Sequence, residues 1–236
     1  MSGKQHILAA MPDWQLWRHH FASVFVPQIE LYGRMWKERF LPALAELENE
    51  ARAVEEKEQQ RLSTEVDPES FDPDGVAEQA YEAGLAYYEP FAPIRQGLTN
   101  MYAIGLHHLV EQQVLLFFRQ VTPASGPSSK RERDPSFKDV RHLLEAYGVV
   151  VAQLRSWPMM QKLKLLADCV KHAEGRACRK LLKRERGWFN PPLVGRPRVR
   201  QPLFGQGIYL DEGTLWDLTD AARSFWAELG DALTGT

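Results

Sequence analysis

The stretch PMMQKLKLLADCVKHAEGRACRKLL, residues 158–182, decides how the rest of the chain is read. Leu163, Leu166, Ala167, Val170, Ala177 and Leu181 fall on one face at helical spacing, the mark of a core-facing stripe. Lys164, Asp168, His172 and Arg176 stand four apart, which places them on one polar ridge. One helix is therefore predicted across the whole stretch, with a basic cluster from Arg176 to Arg186 at its end.

The same 3.6-residue period runs outward from it in both directions. Pro12-Asp13 is a helix start, followed by Trp14, Trp17, Phe21, Val24 and Phe25 at steps of three and four. Pro27 should break or kink that helix, because a mid-helix proline costs about 3 kcal/mol. A long helix is predicted over 28–62, bent at Pro42, with Ile29, Leu31, Tyr32, Met35, Trp36, Phe40, Leu44 and Leu47 on its buried side. Residues 46–61 are nearly all charge, Ala and Gln, so they read as a solvated extension past the core. The sharper reading, a coiled-coil arm, has too few heptads behind it.

Residues 63–75, with two Asp-Pro pairs, are a connector. Helices follow at 76–88 and 94–121. The second, rich in Leu98, Met101, Tyr102, Gly105, Leu109, Leu115, Leu116 and Phe118, is expected at the centre of the core. Residues 122–135 are loop-like and are expected to be the first site of limited proteolysis. A helix is predicted at 137–154 and a closing one at 213–233, with Leu215, Leu218, Ala222, Phe225, Trp226 and Leu229 on its inner face. Between them, 187–210 is an extended Pro/Gly/Arg-rich segment in which 199–203 and 208–210 pair as a small hairpin. The expected architecture is all-α, one helical domain over 1–236.

Composition narrows the function classes. The chain has 236 residues, 25% charged, with net charge −2. That gives no global pull toward nucleic acid or an anionic membrane, so any such binding must come from a local patch. No apolar run approaches the ~20 residues of a membrane span. The N-terminus carries no secretory pattern, so a cytoplasmic protein is expected. Cys169 and Cys178, nine apart on one predicted helix, would lie about 13 Å apart and are expected as free thiols. Phosphate-cradling glycine loops, HExxH and paired CxxC are all missing, and neither cofactor nor metal is expected.

Three constellations carry possible chemistry. Asp168, Lys171, His172 and Arg176, with Lys164, contain a histidine able to shuttle a 2′-hydroxyl proton and cations able to hold phosphate. The plain alternative is a wet helix face with ordinary i,i+4 pairs. His107, His108 and Glu111, with Gln112, place two donors one turn apart, a partial zinc set if His172 joined them. The alternative is one buried and one solvated histidine. The run RKLLKRERG at 179–187, followed by Arg196, Arg198 and Arg200, suits a phosphate backbone, with Trp188 and Phe189 placed to stack on bases. The alternative is the enrichment of cations that a helix dipole favours at a C-terminus.

The string LKLLADCVKHAEGRACRKL resembles an (N/D)xxKHxxG helix of uncharacterised bacterial helical proteins: Asp168 stands at the Asn place, and Lys171, His172 and Gly175 match. Phe225-Trp226-Ala227-Glu228-Leu229 is similar to their closing helix. More broadly, the layout over 95–230 resembles the HEPN superfamily of all-α domains. Many of these are metal-independent RNases of anti-phage and toxin–antitoxin systems, and many form homodimers. Their catalytic motif is an arginine, then four to six residues, then the histidine, which would require an arginine at 165, 166 or 167. Here 165, 166 and 167 are Leu, Leu and Ala, and Lys164 is the nearest upstream cation. The resemblance implies an RNA-binding protein or RNase with His172, Lys171, Asp168 and Lys164 as catalytic candidates. Arg176, Arg179, Arg184 and Arg186 would hold RNA, and a partner or antitoxin protein is expected. The competing expectation is a non-catalytic helical domain that acts through a partner protein.

Overall fold

Asp13 starts the first helix as the Pro12-Asp13 pair predicts, its side chain accepting the Leu16 N–H at 3.0 Å. A computed structural model describes residues 12–65, 72–122, 137–172, 175–189 and 207–235. The chain is all-α. Seven helices occur among the described residues: α1 (14–65), α2 (Pro73–Tyr88), α3 (Ala92–Val121), α4 (Phe137–Ala146), α5 (Trp157–His172), α6 (Arg176–Arg184) and α7 (Glu212–Thr234). Short 3₁₀ turns stand at Val151–Gln153 and Arg186–Phe189.

Pro27 does not break α1. A wide π turn occupies Phe21–Phe25, where the Val26 N–H bonds back five residues to the Phe21 carbonyl. A second one occupies Trp36–Phe40, just ahead of Pro42, with the Leu41 N–H on the Trp36 carbonyl. Proline brings no N–H and crowds the carbonyl four residues earlier. A wide turn immediately upstream shifts those carbonyls off α register, so the helix passes both prolines without stopping.

The chain divides into two compact units, and the division falls inside α1, α3 and α5. The first comprises residues 1–32, 103–167 and 212–236. Its core is centred on Trp226, fully buried, with the Phe21 and Phe25 rings at 4.8 and 4.7 Å. Phe117 closes the cluster against Phe21 at 5.4 Å. Every residue of the predicted inner face of α7 is buried. One buried polar group is fully engaged here: Gln113 accepts the Trp226 indole N–H at 2.7 Å and donates to the Phe25 carbonyl and to Gln28. Glu228 accepts both the Ser156 N–H and its hydroxyl, fixing the start of α5. The helix predicted over 137–154 ends instead at Ala146, because Gly148 takes a left-handed turn (φ 82°) before the 3₁₀ turn.

The second unit comprises 33–102 and 168–211. The charged half of α1 stays solvated on its outer side, with no residue of 46–65 buried, but it does not run free past the core. It packs along α2, whose Val76, Ala80 and Gly84 are buried. Gly84 makes the close approach possible: a Cβ there would meet the Ala51 carbonyl and the Glu55 Cβ at 3.0 Å. Tyr87 donates to Glu50 at 2.8 Å, and Arg95 pairs with Glu48. The 63–75 connector is correspondingly shorter, since α1 reaches Glu65 and Asp72 caps α2 through the Asp74 N–H with Pro73 at its first position. The Glu50 carboxylate holds the Tyr87 phenol above its ordinary pKa by accepting its proton in a hydrogen bond. Glu50→Gln should bring the Tyr87 titration back toward the usual tyrosine range, read by ultraviolet absorbance. An unmoved titration would mean that this cross-helix bond does not form in solution.

In α3 the central expectation holds for Tyr102, which is fully buried, and fails for Leu98, Met101 and Leu116, which are 41%, 53% and 46% exposed. The buried face runs instead through Thr99, Asn100, Ala103, Leu106, Val110, Gln113, Val114 and Phe117. Asn100 donates to the Ile208 carbonyl at 3.1 Å, and the Tyr209 N–H meets the Trp188 carbonyl. Residues 208–210 form no strand, and 199–203, the other half of the expected hairpin, lie outside the described residues. So do 123–136, which contain nearly all of the expected proteolysis loop, and 190–206.

The largest departure lies in the stretch that opened the reading. Residues 158–182 are two helices, not one: α5 ends at His172, and α6 begins after Gly175, whose extended backbone (φ −120°, ψ −174°) is its N-cap. Because the chain turns there, Cys169 and Cys178 come to a Cα separation of 4.7 Å and form a disulfide. The expectation of free thiols about 13 Å apart rested on an unbroken helix and is wrong.

Candidate nucleic-acid interface

The local sequence dictates how α5 presents its last turn. Leu163, Leu166, Ala167 and Cys169 are buried. That leaves Lys164, Lys171 and His172 exposed and Asp168 part-buried. Lys164 belongs to the first unit, and Asp168 and the residues from it to Asp211 belong to the second. Among the described residues His172 has no hydrogen-bond or ion-pair partner, while Lys164 and Asp168 are both engaged.

In α6 the pattern is sharper. Cys178 and Leu181 are buried, Ala177 and Leu182 part-buried, and Arg176, Arg179, Lys180, Lys183 and Arg184 are exposed. Arg186 is exposed in the turn that follows. Arg176 is the first residue of α6, so the expected ridge Lys164–Asp168–His172 stops at the helix break and does not continue through it. The disulfide brings the last turn of α5 beside the first of α6, and residues 171–186 hold seven Lys/Arg against two Glu. Among the described residues none of these seven cations is in an ion pair.

The helix dipole accounts for only part of this. It favours cations in the last turn, where Lys183 and Arg184 stand, and disfavours them in the first, where Arg176 and Arg179 stand. Residues 41–90 have the opposite character, with fourteen Asp/Glu against three Lys/Arg, so a chain of net charge −2 carries separate acidic and basic surfaces. A polyanion would meet attraction at α6 and repulsion along α1 and α2.

His107, His108 and Glu111 lie on α3 within the first unit. His108 Nδ1 is 3.8 Å from the Glu111 carboxylate at the surface, and His107 is part-buried. Among the described residues no three His, Cys, Asp or Glu side chains are arranged to hold a metal ion. Trp188 and Phe189 are part-buried, and Arg196, Arg198 and Arg200 lie outside the described residues. Two exposed cations of the basic run, Lys180 and Lys183, belong with the four arginines singled out from the sequence.

No family model, curated protein or solved structure matches this chain. Among the described residues no helix is long and apolar enough to cross a membrane.

Proposed function

We propose that this protein binds RNA through α6 and acts on it as a metal-independent RNase, in the manner of the HEPN-like proteins its sequence resembles. The observation that supports this most is the exposed row of cations on α6, none of them in an ion pair among the described residues, set beside His172. In this reading Arg176, Arg179, Lys180, Lys183, Arg184 and Arg186 engage phosphates, each contact displacing condensed counterions. His172 takes the 2′-hydroxyl proton, and Lys171 steadies the charge that develops on the phosphate. Asp168, one turn back from the end of α5, and Lys164, two turns back, complete the set of catalytic candidates on this helix. The setting is cytoplasmic, in anti-phage defence or a toxin–antitoxin pair with an antitoxin protein, and the working form is a homodimer.

The test is binding of a single-stranded RNA oligonucleotide across a salt series. Arg179→Ala and Arg184→Ala should each weaken binding for all sequences and reduce the salt slope by about one unit. An unchanged slope in both variants would remove α6 from the interface.

A second reading, a non-catalytic helical protein that works through a partner protein, is favoured by one observation. Ile94, Leu98 and Met101, on consecutive turns of α3, are exposed at 57%, 41% and 53%. A protein that neither binds nor cleaves RNA but is captured through this row would fit that reading.

A further inference from the structure

We infer that the Cys169–Cys178 disulfide is a redox clasp on α6, holding its cationic face in shape when oxidised and releasing it when reduced. The inference rests on the RNA-binding reading for its consequence and on the packing of α6 for its mechanism.

Helix α6 has nine residues, below the ~12–15 at which an isolated helix becomes even marginal in water. Its tertiary anchors are few: only Cys178 and Leu181 are buried. Five exposed cations in nine residues repel one another along it. No side chain caps its N-terminus. One of the two buried anchors is thus itself half of the bridge, and the other half, Cys169, sits in the buried face of α5. Opening the bridge removes the covalent tie to α5 and leaves only the Leu181 side chain and the small Cys178 thiol to anchor α6.

The chemistry is ordinary thiol–disulfide exchange. A dithiol reductant attacks one sulfur, the Cys169–Cys178 bond breaks through a mixed disulfide, and both protein sulfurs end as thiols. The reductant's two thiols become its own disulfide, so two electrons and two protons pass to the protein. Both sulfurs are shielded from solvent, so exchange must follow transient fraying of α6. A cytoplasmic disulfide is typically a transient, redox-sensing one. Closing a loop of ten residues shifts the ordered-to-frayed ratio by about a hundredfold on the chain-entropy account. If α6 is about tenfold in favour of order when oxidised, reduction leaves it about tenfold against. Apparent RNA affinity then falls about tenfold, since only the ordered fraction binds.

The experiment uses the full chain in three forms: oxidised, reduced with dithiothreitol, and Cys169→Ser/Cys178→Ser. Thiol labelling of unfolded, unreduced protein should show no free thiol in the first form. Amide hydrogen exchange over 176–184 should be slow in the oxidised form and fast in the other two, with exchange in α7 unchanged. Binding of a fluorescein-labelled single-stranded RNA should weaken about tenfold in parallel. Two free thiols in protein purified without reductant, or equal α6 protection in all three forms, would overturn the clasp. Loss of α6 protection with equal RNA affinity would overturn the control it is given over binding. No RNA binding in any form, with α6 protection still lost on reduction, would uphold the clasp on α6 and instead sink the RNA reading.

Discussion

Trp226→Ala should unfold the first unit well below the temperature at which the native protein melts. The indole is fully buried, with Phe21, Phe25 and Phe225 ring centroids at 4.8, 4.7 and 5.2 Å. Truncating a buried tryptophan to alanine typically costs about 3–5 kcal/mol, through lost transfer energy and the cavity left behind. The same change orphans the Gln113 carbonyl oxygen, which accepts the indole N–H in a buried site. An abandoned buried acceptor costs roughly 1–3 kcal/mol, and the two effects share a site and do not simply add. For a chain of this size each kcal/mol moves the midpoint by about 2–4 °C, so a drop of about 6–20 °C is expected. Trp226→Phe separates the contributions: it keeps most of the packing and loses the hydrogen bond, so it should fall between the two. Calorimetry of all three proteins checks this, and a Trp226→Ala midpoint within a degree or two of native would show that α7 is not the centre of the unit.

The second large effect is on chemistry. His172→Ala should lower RNA cleavage by about 10²–10⁴-fold, the usual range for a lost general base. It should leave the melting curve within about 0.5 kcal/mol of native, because the side chain is exposed and has no hydrogen-bond partner among the described residues. That combination separates a reacting group from a structural one. Loss of stability with undiminished cleavage per folded molecule would end the catalytic assignment of His172. Lys171→Ala should reduce cleavage less, since a neighbouring cation helps hold charge without carrying the proton. Arg179→Ala should act on binding and its salt dependence.

The helical class, the start at Asp13 and the inner face of α7 could be read from the chain because each is a local, regular pattern. A period of 3.6 around Leu218, Ala222 and Phe225 needs no knowledge of what packs against it. The passage through Pro27 could not be read that way. A π turn breaks the period that would reveal it, and proline ordinarily signals an end. The partner of the charged half of α1 was hidden for another reason: Ala80 and Gly84 make that contact, and small residues leave no apolar stripe to count. At the candidate interface, the cations and His172 were legible as residue types. Their arrangement was not, because one glycine, at 175, separates a continuous helix from a chain reversal. A lone glycine costs a helix only about 1 kcal/mol, too little to decide from sequence. The disulfide followed from that reversal and was lost with it.

The two wide turns in α1 also act as phase adjusters. Each takes in one residue more than an α turn, so everything after it is rotated by about 100° relative to an unbroken helix. Ile29, buried after the first turn, and Leu44, buried after the second, face inward only because those extra residues are counted in. Deleting one residue within Phe21–Phe25 would turn Ile29 outward and carry a charged neighbour such as Glu30 toward the core. The same deletion at the exposed end of α1, near Thr64, would shift nothing that is buried. The length of this helix is therefore fixed residue by residue as far as Glu55, which meets Gly84 of α2, and it is adjustable only toward its end near Thr64.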